Sequence, residues 1–111
     1  MEDFVPYELA VKLNEAGFNY DTKEVYEINV LLERYFEIPK PTISQVLTWL
    51  FDEKQLFINV DCNICDHFGL YFKVYKKGKE TWEECAIGDD YFYHPTEAIF
   101  AGIKYVLDNL I

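Results

Sequence analysis

The apolar residues of this 111-residue chain change their spacing between residues 54 and 56 and change back after residue 88, and that limits the fold more than any other feature. In FVPYELAVKLNEAGF, residues 4–18, Leu9, Ala10, Leu13 and Ala16 recur on one helical face. Pro6 suits a first helical position and Gly17 can take the left-handed C-terminal conformation, so a helix is predicted over 6–16. In PTISQVLTWLFDEK, residues 41–54, Thr42 and Gln45 form a capping box and Ile43, Val46, Leu47 and Leu50 a buried stripe, which predicts a helix over 42–54. The third pattern, HPTEAIFAGIKYVLDNLI, predicts a helix over 95–110, with Pro95 in the first turn and Glu97 near the positive end of the dipole. Its inward residues are Ile99, Gly102, Ile103, Val106 and Leu110. Gly102 costs ~1 kcal/mol relative to alanine in mid-helix, tolerable where another backbone packs close.

Between the second and third helices the period is 2, the signature of strands with one face buried. Leu56, Ile58 and Val60 point one way in LFINVDC, as do Phe68, Leu70, Phe72 and Val74 in FGLYFKVYK, and KKGKE supplies a tight turn into TWEECAIG. The segment EVYEINVLLERYFEI, residues 24–38, satisfies both periods: Tyr26, Ile28, Val30 and Leu32 alternate, while Val25, Ile28, Leu32 and Tyr35 fit a helix that Asp21 and Glu24 could cap. Strand is favoured. No repeat, low-complexity tract or linker interrupts the chain. The expectation is one domain, 1–111, of the α+β class: a two-layer fold with an antiparallel meander of three to four strands packed by about three helices. Its core is predicted to hold Leu13, Val46, Leu50, Ile58, Leu70, Phe72, Ile103 and Val106.

Composition supports a folded, soluble chain. Half the residues are hydrophobic and 18% aromatic, against nine glycines and prolines. The net charge is -10, spread as 11 acidic against 5 basic residues over 1–55 and 9 against 5 over 56–111, so there is no acidic tail. Such a surface repels phosphate backbones and anionic membranes, so neither direct nucleic-acid binding nor membrane binding is expected. The acidity suits solubility, or a basic protein partner. MEDFVPYE lacks the basic and apolar regions of a signal peptide, and no apolar run approaches the ~18–20 residues that span a bilayer, so a cytoplasmic location is expected. Three cysteines in a reducing compartment read as free thiols.

One stretch invites a chemical reading. VDCNICDHFG, residues 60–69, places Cys62 and Cys65 three apart with His67 behind them. A structural zinc needs four ligands, and a second pair is missing unless folding brings in Cys85 or His94. A redox pair needs its first cysteine at a helix N-terminus, whereas a strand pattern follows Cys65. The stretch therefore reads as a hairpin connection, with Asn63, Asp66 and Gly69 as turn formers and the cysteines as small hydrophobes. No nucleophile stands beside a base: Ser44 lies inside a helix, and His94 stands where a helix cap belongs. Glu83, Glu84, Asp89 and Asp90 read as a solvated edge rather than an acid–base pair or a magnesium site. Glycine loops for phosphate are absent, and no cofactor is expected.

Strand alternation makes a different kind of site. If Leu56, Ile58, Leu70 and Phe72 face the helices, Phe57, Tyr71, Tyr75 and Trp82 point to the opposite face, interleaved with Asn59, Lys73 and Glu84. Either another element covers this face or it is a protein-binding surface, since Tyr, Trp and Phe are enriched in binding hot spots.

Three stretches, YELAVKLNEAGF (7–18), PTISQVLTWL (41–50) and TEAIFAGIKYVLDNLI (96–111), resemble short proteins of no assigned function from prophage-like and other mobile elements of gut Bacteroides and their relatives. The resemblance covers about a third of the chain and implies a fold and a genomic setting, with no catalytic residues to carry over. The functional expectation is a non-enzymatic, acidic accessory protein of a phage or mobile element that binds another protein or a second copy of itself. The alternatives are a small metal protein or enzyme built on Cys62, Cys65 and His67, and an inhibitor that imitates the charge of DNA.

Overall fold

The structure is a computed structural model that describes residues 3–30, 34–63 and 69–111, with residues 28–30 and 34–36 described by their backbone alone. Among the described residues the chain runs α1 (Tyr7–Glu15), β1 (Val25–Val30), β2 (Arg34–Pro39), α2 (Ile43–Trp49), a π-helical turn (Leu50–Lys54), β3 (Leu56–Asn63), β4 (Gly69–Lys77), β5 (Trp82–Ile87) and α3 (Pro95–Asn109). It is an α+β protein with one two-stranded and one three-stranded antiparallel sheet. The chain divides into two compact units, Met1–Trp49 and Leu50–Ile111.

In the first unit the ends of the helices follow the local sequence. Gly17 at φ +95 closes α1: its N–H donates to the Asn14 carbonyl and that of Phe18 to the Leu13 carbonyl. Those two bonds are the Schellman pattern, and they satisfy carbonyls that the helix end would otherwise orphan. The capping box of α2 is reciprocal, with the Thr42 N–H donating to Gln45 Oε1 at 2.9 Å and the Gln45 N–H to Thr42 Oγ1 at 3.3 Å. The same Gln45 donates its Nε2 to the Asp21 carbonyl at 2.9 Å, which ties the cap to the loop before β1. The described residues of the segment that satisfies both periods are strand, with β1 and β2 paired antiparallel from Val25↔Pro39 to Val30↔Arg34. Val5, Leu9, Ala10, Leu13, Phe18, Ile38, Val46 and Trp49 are buried, with Phe18 and Trp49 edge to face at 5.5 Å.

In the second unit the order is β3-β4-β5, with α3 against β3 and β4. The register of β3 with β4 runs from Leu56↔Lys76 to Asn63↔Gly69, and β4 with β5 carries a bulge between Val74 and Tyr75. Leu56, Ile58, Phe72 and Val74 are buried under Ala98, Gly102, Ile103 and Val106 of α3. A Cβ on Gly102 would stand 2.8 Å from Ile58 Cγ2 and 3.2 Å from Phe72 Cβ. The close approach expected there exists, but to side chains rather than to backbone.

Seven of the eight predicted core residues are buried, and Leu70 is half-buried near the end of the sheet. The helix faces are rotated from the predicted ones. Trp49 is buried while Ile43 and Leu47 are partly exposed, and Ala98 is buried while Ile99 is partly exposed and Leu110 exposed. The predicted helix 42–54 keeps α winding only to Trp49; from Leu50 to Lys54 it is π, ended by Gln55 at φ +56. The wider winding changes which residues after Leu50 share a face. No helix among the described residues is long and apolar enough to cross a membrane.

Candidate functional site

The residues of the alternative metal or thiol reading are divided in the structure. Cys62 lies exposed near the end of β3, its N–H taken by Asp61 Oδ1 at 2.9 Å. Cys65 and His67 lie outside the described residues. Cys85 occupies the bulge of β5, the position the register skips between Val74↔Ala86 and Tyr75↔Glu84, whereas Cys62 faces Leu70. Four to five residues along the strands and two strands across separate the Cys62 and Cys85 backbones by roughly 17 Å at ordinary strand spacings, too far to share an ion. Desolvation pushes the Cys85 thiol above its ordinary value near 9.0 although Lys76 opposes it, which keeps the thiol protonated near neutrality. His94 is the N-cap residue of α3, exposed and without a side-chain capping bond. Among the described residues no group of three or more His, Cys, Asp or Glu side chains could hold a metal ion.

The carboxylates are divided as well. Glu84 is committed to Lys73, Glu83 stands across from Lys76, and Asp89 and Asp90 line a cavity of about 400 Å³ with Lys104, Tyr105 and Asp108. Ser44 is exposed on α2. None of these places a nucleophile beside a base.

The aromatic face is assembled as strand alternation requires. The β3–β4 register sets Phe57 across from Tyr75, Asn59 from Lys73 and Asp61 from Tyr71, and β5 adds Trp82 opposite Lys77 and Glu84 opposite Tyr75. Phe57 is 42% exposed and Trp82 36%, while Tyr71 and Tyr75 are half-buried. The Phe57 and Tyr75 rings lie 6.4 Å apart, and Lys73 Nζ bridges Asp61 Oδ2 at 3.6 Å and Glu84 Oε1 at 3.5 Å. The cation stands 5.8 Å from the Tyr71 ring centroid. Its value is raised, by Tyr71 first and then by Glu84 and Tyr75, against the opposing effect of desolvation.

Two members of this face were not legible in the sequence. Phe51, on the π-helical turn, stacks on Trp82 with centroids 5.0 Å apart and planes at 23°. With Phe57, Asn59, Tyr75 and Trp82 it lines an open groove of about 480 Å³. Tyr91 meets Tyr71 edge to face at 5.9 Å and accepts a hydrogen bond from Asn63 Nδ2 at 3.1 Å. The signal for Tyr91 was the aromatic run YFY in a loop, where rings without a core to fill need another surface. For Phe51 there was none, because its place depends on the π winding.

Compared with known proteins, the chain matches no family model, no curated protein and no solved structure.

Proposed function

We propose that the protein is non-enzymatic and acts by binding protein through the outer face of the β3–β4–β5 sheet, as an acidic accessory protein of a phage or mobile element. The observation that carries this reading is the exposed groove of Phe51, Phe57, Tyr75 and Trp82 beside the Asp61–Lys73–Glu84 bridge. Large rings, two of them with a polar handle, grouped on one sheet face around a neutralised charge, make the kind of patch in which binding energy concentrates. The genomic setting rests on the resemblance of the helical stretches, and a cytoplasmic location is proposed with it. The net charge of -10 disfavours nucleic acid and anionic membranes as direct ligands.

The test is capture from the native host with wild-type protein and with Trp82→Ser as paired baits. The reading expects at least one protein retained by the wild type and lost with the variant. Identical retention by both baits would sink it.

A further inference from the structure

We infer that the partner of the aromatic face is a second copy of this chain, docked sheet to sheet. This rests on the protein-binding reading of the face and commits it to one occupant. The argument is from charge. The charged residues at the strand positions of the face are Asp61, Lys73, Lys77 and Glu84, two of each sign, so this central part of the face is neutral on a chain that carries -10. A basic partner is drawn to the acid-rich remainder of the surface and gains nothing from this patch. An identical copy, equally negative, is repelled everywhere except where the local charge cancels. Neutrality together with exposed apolar rings is what an isologous contact needs, because a two-fold axis sets the same patch against itself.

Size sets the strength. Three strands about 4.8 Å apart, the longest nine residues at about 3.3 Å each, give a flat footprint on the order of 400 Å². Stable interfaces bury about 800 Å² per partner, so the dimer is weak and reversible. The two sheets pack about 10 Å apart with strands crossing at about 30°.

Sedimentation of the purified protein from low micromolar to several hundred micromolar, at low and high sodium chloride, tests this. The expected result is a concentration-dependent dimer whose dissociation constant falls several-fold as salt rises, because screening weakens the repulsion between two acidic copies while the neutral apolar contact is unaffected. Trp82→Ser and Phe57→Ser, both exposed positions lining the aromatic groove, with folding checked by circular dichroism, should each raise the dissociation constant about ten-fold or more, as truncations at an interface core do. A monomer at every concentration and salt, a dimer that weakens with salt, or one indifferent to both substitutions overturns the inference. The broader reading has its own outcome: a monomeric wild type whose captured partner is lost with Trp82→Ser leaves protein binding standing and removes only the second copy.

Discussion

Gly102→Ala sets two known effects against each other, and the structure decides the sign. Alanine is favoured over glycine in a helix interior by about 1 kcal/mol, and α3 extends seven residues on either side of this position. The new Cβ, however, falls 2.8 Å from Ile58 Cγ2 and 3.2 Å from Phe72 Cβ and Cγ, with Gly102 buried and Ile58 4% exposed. Neither neighbour yields easily. Ile58 is β-branched and held in β3, and the Phe72 Cβ is fixed to the backbone of β4. Overpacking of this kind costs roughly 1–3 kcal/mol, so the net change is a loss of about 1 kcal/mol. With a urea slope of about 1–3 kcal/mol per molar, the midpoint should fall by about 0.5 M. The assay is urea unfolding followed by far-ultraviolet circular dichroism and by the emission of Trp82, which shares a unit with the site. The steric origin is tested by repeating the substitution in Ile58→Leu, which lacks the offending branch methyl and should recover about 1 kcal/mol of the loss as coupling between neighbours. A midpoint that rises in the single variant, or an identical loss in both backgrounds, would refute the packing argument.

Gln45→Ala removes the acceptor for the Thr42 N–H and the donor to the Asp21 carbonyl together, and should cost about 1–2 kcal/mol in urea unfolding, read from Trp49 in the same unit. Cys62→Ser replaces an exposed thiol, so its unfolding free energy should stay within about 0.5 kcal/mol of wild type, and a strong chelator should leave the wild-type midpoint unmoved. A midpoint that drops with chelator would reinstate a metal. Lys73, being raised in the folded state, contributes its ion-pair stability in full below its ordinary value of 10.5 and loses it as pH climbs through the higher folded value. The midpoint difference between wild type and Lys73→Met should therefore persist from neutral pH to the ordinary value of 10.5 and close as pH climbs through the higher folded value, as pH-dependent urea titrations would show.

Much of the fold could be read because short-range rules settle it. The Thr42–Gln45 box and the Gly17 cap depend on residues three to five apart, and the β3–β4–β5 meander on alternation and one turn. The errors arose where a choice is made by packing at longer range. Residues 24–38, which satisfy both periods, are not among them: alternation favours strand, and β1 and β2 are strands. The rotation of α2 that buries Trp49 follows from Phe18, thirty-one residues away in sequence, offering its ring. Helical periodicity ranks apolar residues by phase and does not know which of them a distant aromatic will receive.

The candidate site divides along the same line. Phe57, Tyr71, Tyr75 and Trp82 were readable because a strand leaves no freedom in which face a residue takes once its neighbours are buried. Phe51 and Tyr91 join them from a π turn and a loop, where no period applies. The cysteines show the converse. Cys62 and Cys85 attract attention as a chemical class, but a register fixed by Cys62↔Leu70 and Val74↔Ala86 keeps them four to five residues and two strands apart. A core-forming sheet needs only one apolar face. Large rings on its other face bury little in this unit, with Phe51 48% and Phe57 42% exposed, and they do not stabilise the monomer in proportion to their size. Their grouping around a neutralised lysine is the feature on which the proposed protein-binding face rests.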